Sequence, residues 1–498
     1  MANPSTEAFT QQTVLLTGAT GLVGSQIMAR LLSRGHHVIV LVRPTRQECV
    51  RSRIERALQP LEHTHLLPRP EILTGDLSLD SLGLTHEQVV DLAQQNIHVI
   101  HCAGSIRFRQ DASTGEPYAT NVDGTRRVLD LAQQIKPQSF HFVSTAYVQN
   151  RSQQNVREVL VDSDEHARND YERSKIQAER LVAQVEHLDR VVIHRPSIVV
   201  GDSLTGNTPT FHGFYAPLQV AVQYAQRFGF DAEAGRAFLQ HLGLSPSDWK
   251  NFVPVDWVAE CILDTVLART APAENANSSP QILHWTNPTP TPSSQILEVI
   301  NRVIDAKFQP TAAANQSDNS ADFREMLSVY DSYFQCDPLF DRQQASGQCP
   351  QLRCPELSTE VLHRLAQWAV ENNFGWPTKQ VEWPEFPQLE NLFGGFPRIS
   401  SGGHGVVVGS LELRLLGPGA PPPVLFGYSA GRWSQLTQGC GALEPAIRIT
   451  TSVGSFVHAV ANRESVRDFE AQGQWLTEVH SGSNPRQMLN KWFGQLQL

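Results

Sequence analysis

The sequence predicts an α/β fold: a parallel sheet with helices on both faces, a mostly helical extension on one side, and a small C-terminal α+β domain. Three observations carry this. Short Val/Ile-rich runs alternate with amphipathic helical stretches over the first 200 residues. The runs are continuous rather than alternating, as expected for strands buried on both faces. From about residue 405 the pattern changes to alternation of apolar and polar residues, which indicates sheet with one wet face.

The elements follow in order. Residues 13–17 (TVLLT) read as a short buried strand, and a glycine turn occupies 18–24. Ile27, Met28, Leu31 and Leu32 then recur at helical spacing, and Gly35 stops that helix. A second strand covers 37–42, and strand-like runs recur at 71–74, 97–102, 139–143 and 190–194. Helical stretches lie between them, as at 122–135 and 171–187. Residues 205–251 are richer in Phe and Gly, with helical stretches near 216–227 and 232–242. Phe211, Phe214, Tyr215, Leu218, Phe228, Phe230, Phe238 and Leu239 cluster here and suit an apolar tunnel, although each taken singly suits plain core. A Pro/Ser/Asn-rich stretch surrounds the strand QILHWT, and helices follow at 294–305 and 357–373. Residues 376–403 read as a linker. Beyond it, 405–416 and 445–450 alternate, predicting an antiparallel sheet, with Trp433, Phe456, Trp475 and Phe493 as large apolar contributors. The expected division is 1–310 for the core domain (substrate side about 203–251), 311–375 for a helical extension, 376–403 for the linker and 404–498 for the small domain.

Composition excludes several classes. Hydrophobic residues make up 40% and charged residues 18% of 498, enough to bury a core and too few charges for a disordered chain. The net charge of −10 argues against nucleic-acid binding. Apolar runs reach about eight residues against the 18–20 a membrane helix needs, and the N-terminus is polar, so neither a transmembrane segment nor a secretory signal is expected. The seven cysteines are odd in number, contain no CxxC and have no metal-ligand spacing, which fits a reducing, cytoplasmic setting without a metal. Nothing in the pattern specifies an oligomeric state.

Thr17-Gly18-Ala19-Thr20-Gly21-Leu22-Val23-Gly24 sits between a strand and a helix. In that context the glycines let the backbone turn tightly and approach a pyrophosphate, while the helix N-terminus offers N–H groups to the phosphates. The second strand ends in Arg43, with Arg46 just beyond, where an acidic residue would bind a ribose 2′-hydroxyl. Arginine there suits a 2′-phosphate, so NADP(H) is the expected cofactor; a solvated strand-end charge is the alternative. Asp76, after the third strand, is placed to reach the adenine, or to serve as a loop or helix cap.

Tyr171 and Lys175 form Tyr-x-x-x-Lys on a predicted helix, so both face the same way. With eight tyrosines and six lysines, chance supplies about 0.1 such pairs. A tyrosine titrates near 10, and a lysine one turn away favours the tyrosinate. Thr145 ends the fifth strand, where parallel sheets bind ligands, and its hydroxyl suits a substrate carbonyl; Ser144 competes for that role. Asn121 starts a helix and reads equally as an N-cap or a relay group.

These motifs resemble the extended short-chain dehydrogenase/reductase family. The resemblance rests on TGATGLVG (17–24), GDL (75–77), HCAG (101–104), NVDGT (121–125), VSTAYV (143–148), YERSK (171–175), HRPSIVVG (194–201) and VPVDWVAE (253–260), and spans about 13–310. It implies a Rossmann core, a nicotinamide cofactor held by the glycine loop with Asp76, Leu77 and Ala103, and a Thr145/Tyr171/Lys175 triad. Within the family the sequence is most similar to the thioester reductase and fatty acyl-CoA reductase branch, through VSTAYV, NDYERSKIQAE and LHWTNPTPTPSSQIL, and more loosely through FREMLSVYDSYFQCDPLFD (323–341). HCAG departs from the more usual alanine-rich form. The last hundred residues faintly resemble a sterol-carrier-protein type lipid-binding domain in ITTSVGSFVHAVANRE (449–464).

The expectation is therefore an NADPH-dependent reductase of an acyl thioester or related fatty carbonyl. Its partner is acyl-CoA, acyl-carrier protein or another lipid-like molecule. The alternatives are a dehydrogenase or epimerase of sugar nucleotides or sterols, and a non-catalytic NADP-binding lipid carrier or sensor.

Overall fold

A computed structural model of the chain describes residues 11–45, 48–59, 68–149, 155–228, 245–268, 279–307 and 336–375, and beyond these mainly the strands of a C-terminal sheet. The chain divides into two compact units. The first holds most of residues 1–307 together with 329–375; the second holds 376–498 with segments 220–230 and 308–328.

The first unit begins with β1 (Thr13–Thr17), α1 (Leu22–Ser33), β2 (His37–Val42), α2 (Val50–Leu58), β3 (Glu71–Thr74), α3 (His86–Ala93), β4 (Ile97–His101), α4 (Thr125–Ile135) and β5 (Ser139–Val143). After the two-residue β6 (Asn155–Val156) come α5 (Asp170–Ala183), β7 (Val191–Pro196), β8 (Ile198–Val200) and the first residues of α6 (Tyr215–Phe228), whose remainder from Val220 is counted with the second unit. Then follow β9 (Trp249–Lys250), β10 (Phe252–Pro254), α7 (Val255–Leu267), β11 (Gln281–Trp285), β12 (Thr291–Pro292) and α8 (Ser293–Lys307). The unit closes with β13 (Leu339–Phe340), α9 (Gln343–Gln348) and α10 (Thr359–Glu371).

Seven strands form one sheet in the order β11-β7-β5-β4-β1-β2-β3, every pairing parallel. The order reverses beside β1, which opens a crevice at the carboxyl ends of β1 and β4. Two apolar layers cover the faces. Val14, Leu16 and Val40 pack with Ile27 and Leu31 of α1 and with Val258 and Ile262 of α7. On the other side Leu15, Val99 and Phe140 pack with Val128, Leu129, Ala132 and Ala178. That two-sided burial is why the strands read as unbroken apolar runs.

Two departures from the expected elements have visible causes. The helix expected from 122 begins as a π-helical turn over Ala119–Gly124 and becomes α-helical only at Thr125, because Asn121 is drawn aside to other partners. The C-terminal sheet is mixed rather than antiparallel. Its order is β14-β17-β16-β15-β18-β19, using β14 (Arg398–Ile399), β15 (Gly409–Leu416), β16 (Val424–Ser429), β17 (Arg432–Leu436), β18 (Ile447–Ser452) and β19 (Trp475–Val479). β15 pairs with β18 in parallel, a long-range pairing that alternation alone does not reveal. Trp433 and Trp492 are buried, and Phe426 packs edge-on against Trp492 at 5.4 Å. The helix expected at 232–242, Phe456 and Phe493 lie outside the described residues.

Candidate active site

The glycine loop is built by close backbone contact. Gly18 has φ +76°, and a Cβ there would lie 2.5 Å from the Ala103 nitrogen at the end of β4. A Cβ on Gly24 would lie 2.1 Å from the Gly18 carbonyl oxygen, so α1 sits directly on the loop. At Gly21 a Cβ would meet only that same oxygen, at 3.4 Å. The loop is thus closed toward the protein and open on its outer side, where α1 starts with no side-chain cap. An open backbone at an uncapped helix N-terminus is the cradle a pyrophosphate needs, so these residues fit a dinucleotide.

A buried relay fixes the loop to the sheet. Ala103 N–H donates to Thr17 Oγ1 (3.3 Å), and Thr17 Oγ1 bonds His101 Nδ1 (2.7 Å). His101 Nε2 bonds Thr125 Oγ1 (3.0 Å), whose hydroxyl donates to the Asn121 carbonyl (2.6 Å). Burial drives His101 down to about 3, so the imidazole is neutral and serves as a spacer with one donor and one acceptor. This gives HCAG a role: the histidine ties β4 to both β1 and α4.

At the ends of β2 and β3, Arg43 is largely exposed, with its guanidinium 3.9 Å from Asp76. Asp76 also accepts from the Ser78 N–H and hydroxyl, each at 2.9 Å, so it shapes its own turn as well as facing Arg43. Leu77 packs inward against the α4 side of the core and does not line the cavity below. Arg46 lies outside the described residues. Sequence reasoning missed Arg53 of α2: its guanidinium donates to the Arg43 carbonyl and to Thr20 Oγ1, the latter at 3.2 Å. Burial and the neighbouring Arg43 and Arg56 lower its pKa, the mark of a cationic corner.

Tyr171 and Lys175 lie on α5, whose start is fixed by Asn169 Oδ1 accepting the Glu172 N–H at 2.8 Å. One turn beyond Lys175, Glu179 makes a buried two-pronged pair with Arg195 of β7, at 2.9 and 2.6 Å, which locks α5 against the sheet. Lys175 Nζ donates to the Val143 carbonyl (2.7 Å) and stands 4.3 Å from the Phe142 ring centre. Burial lowers this lysine to about 8. The Tyr171 phenol is raised instead, by burial, with the hydrogen bond to Thr145 opposing the rise. The expected lowering of the tyrosine by its lysine is therefore not the dominant effect, because burial disfavours the charged tyrosinate. Thr145 follows β5, and its hydroxyl also accepts the Tyr147 N–H at 3.3 Å.

Asn121 is not an N-cap. Its Oδ1 accepts the Ser105 N–H (2.7 Å), and its Nδ2 donates to the Ser105 carbonyl (2.8 Å) and to Ser174 Oγ (2.9 Å). It joins the loop after β4 to α5 beside Lys175, which explains the π-helical turn.

A cavity of about 400 Å³ unites most of these groups. Gly21, Leu22, Val23 and Gly24 form one part of its wall, and Thr145, Tyr171 and Lys175 another. The rest is predominantly apolar, with Phe214, Pro217, Ile198, Phe252 and Ile296. Among the described side chains of the aromatic cluster read from the sequence, Phe214 lines it. Tyr215 is buried, with its hydroxyl accepting the Gly201 N–H at 2.9 Å, and Leu218 is core. Phe211 packs edge-on against Tyr215 and Phe374. Phe230, Phe238 and Leu239 lie outside the described residues.

Residues 16–262 match the NAD-binding family model described as male sterility protein. Fatty acyl-CoA reductase 2 of Mus musculus is 24% identical over 429 residues, covering 75% of this chain and 78% of that protein. L-2-aminoadipate reductase of Saccharomyces cerevisiae is 29% identical over 307 residues, covering 56% of this chain and 20% of that protein. Of the other relatives compared, the chain spans from 62% of the length down to 4%. Among solved structures, the terminal R domain from the myxalamid PKS-NRPS pathway superposes with a TM-score of 0.57 at 24% identity, over 74% of this chain and 92% of that one. A thiolation-reductase di-domain from an archaeal non-ribosomal peptide synthetase follows at 0.54 and 20%, over 74% and 76%. These structural likenesses establish the fold. No helix among the described residues is long and apolar enough to cross a membrane. With the parallel sheet, the glycine cradle and the family match in agreement, the chain is a nicotinamide-dependent oxidoreductase of the extended short-chain dehydrogenase/reductase type, similar to the thioester and fatty acyl-CoA reductases.

Proposed function

We propose that this chain is an NADPH-dependent reductase of acyl thioesters, with acyl-CoA or an acyl-carrier protein as donor. The observation that carries the reading is the single cavity that begins at the glycine loop, passes Thr145, Tyr171 and Lys175, and ends among apolar side chains. Arg43 and Arg53 suit the extra phosphate of NADPH, since a guanidinium offers a fork of donors. Bound at the loop, the nicotinamide supplies a hydride to the thioester carbonyl carbon.

The chain's own residues do the rest. The Thr145 hydroxyl orients the carbonyl oxygen, and Tyr171, protonated at neutral pH, hands that oxygen its proton as charge develops. Lys175 holds the cofactor ribose and supports the phenolate left behind. Collapse of the resulting hemithioacetal releases the thiol and an aldehyde, so one NADPH and one proton are consumed per thioester. The apolar wall shields the acyl group from water.

NADPH oxidation with a panel of acyl-CoAs, aldehydes, sterols and sugar nucleotides tests this. The expected result is oxidation dependent on an acyl thioester, with one thiol released per aldehyde formed. Turnover confined to sugar nucleotides or sterols would replace the reading.

A further inference from the structure

The cavity wall carries polar side chains that the reaction above does not use. Ser144 follows β5, its N–H donating to the His194 carbonyl at 2.7 Å. Ser197 follows β7, its N–H donating to the Trp285 carbonyl at 3.2 Å. β5 and β7 are neighbours, so both serines leave the same edge of the sheet. Both line the cavity and are 5% and 6% exposed, yet neither hydroxyl has a hydrogen-bond partner among the described residues. A buried hydroxyl without a partner is costly, and against a bare alkyl chain both would stay that way.

A network beside them keeps this part of the wall in place. The Asp337 carboxylate is fully buried and accepts from Tyr147 Oη (2.7 Å), Lys250 Nζ (3.0 Å) and the Asn251 N–H (2.8 Å). The Asn251 carbonyl in turn accepts the Ile198 N–H at 3.1 Å, one residue beyond Ser197. Tyr147 and Lys250 also line the cavity. The lysine–aspartate pair balances its own charge, so this wall offers hydrogen bonds rather than a net field.

We propose that Ser144 and Ser197 form a subsite for a neutral hydrogen-bonding substituent, a hydroxyl or an amide, carried by the acyl group close to its thioester carbonyl. Ser144 precedes Thr145 directly, which sets the substituent near the reacting carbon. The preferred substrate is then a polar-substituted acyl thioester rather than a plain alkyl one. The inference rests on the acyl thioester reading above and narrows it.

Hexanoyl-CoA, 3-hydroxyhexanoyl-CoA and 2-acetamidohexanoyl-CoA, with the full chain and NADPH, provide the test. At least one polar substrate should exceed hexanoyl-CoA in kcat/KM on the order of 10²-fold, since a site built to bond a polar group rejects the analogue lacking it. Ser144→Ala or Ser197→Ala should reduce that ratio about tenfold or more. Reduction of all three without preference overturns the subsite and leaves the functional reading standing. So does a ratio untouched by both substitutions, or a raised KM for NADPH with the acyl ratio intact, which would turn the hydroxyls toward the cofactor. A wild type that reduces none of the three acyl groups, whether carried on CoA or loaded on an acyl-carrier protein, overturns both.

Discussion

Trp285 Nε1–H donates to His194 Nδ1 at 2.9 Å, and that bond orients a chain of three imidazoles across the sheet. With Nδ1 accepting, His194 carries its proton on Nε2 and donates to His141 Nδ1 at 3.0 Å. His141 Nε2 then donates to Ser139 Oγ (2.9 Å), whose hydroxyl donates to His98 Nδ1 (2.7 Å). His98 Nε2 ends the chain at Gln12 Oε1, 3.2 Å away and able only to accept. Every donor has an acceptor, but only while all three rings are neutral.

Burial drives His98 to about 4, His194 to about 3 and His141 well below the ordinary value. Above pH 7 the rings are neutral in the folded and unfolded chains, and they add no pH dependence. Below about 6.5 the unfolded chain takes up protons that the fold refuses. Stability should therefore fall as pH drops from 6.5 toward 4, by up to about 1.4 kcal/mol per pH unit for each ring. Denaturant unfolding at pH 7 and pH 5 reads this directly, and equal stabilities would contradict neutral rings. Trp285→Phe removes the terminal donor and should cost about 1–3 kcal/mol at pH 7.

Arg43→Ala and Arg53→Ala should each weaken NADPH more than NADH. The expected loss is about 1.5–3 kcal/mol per charge-assisted bond, or roughly 10- to 150-fold in Kd. Fluorescence titration of both cofactors against wild type and variants decides it. Equal affinities in the wild type would end the assignment of the 2′-phosphate to this corner.

Tyr171→Phe should lose on the order of 10²–10⁴ in turnover while still binding NADPH, as for the removal of a general acid. Lys175, lowered to about 8 by burial, should be cationic at neutral pH and lose its charge on the alkaline side. The kcat/KM for reduction should accordingly decline above about pH 8, whereas loss of the tyrosine proton should set in only at higher pH. A rate that stays flat to pH 10 would remove Lys175 from that role.

Gly24→Ala places a methyl group 2.1 Å from the Gly18 oxygen, where backbone rather than a flexible side chain must yield. We expect about 1–3 kcal/mol of destabilisation and a large loss of cofactor affinity, because α1 must move off the loop. Gly21→Ala meets only ordinary contact within the protein and should leave stability near wild type while weakening the dinucleotide. Thermal unfolding together with cofactor titration separates the two effects.

The features legible in the sequence were those that one segment encodes alone. The loop from Thr17 to Gly24 carries its own turn and helix start, and Tyr171 and Lys175 are joined by one helical turn. Arg53 escaped notice because nothing in VRSRIER distinguishes the arginine that folds back on Thr20 from those facing water. Asn121 was ambiguous because its partners, Ser105 and Ser174, come from two other segments. The cavity wall was misjudged for a similar reason. The aromatic run near 211–215 marked the region, yet Tyr215 and Phe211 face inward, while Phe252 and Ile296 arrive from elements whose apolar residues read as ordinary core.

Asp337 lies 190 residues after Tyr147, and the bond between them joins chain segments made at very different times. At about 5–20 residues per second, synthesis separates the two by roughly 10–40 s. During that interval β7 and then β11 are made and can join the sheet, while Lys250, once made, has no carboxylate to meet. The wall of the pocket thus sets well after the glycine loop, and a ribosome stalled short of residue 337 holds a chain with a cofactor cradle and an unfinished substrate side.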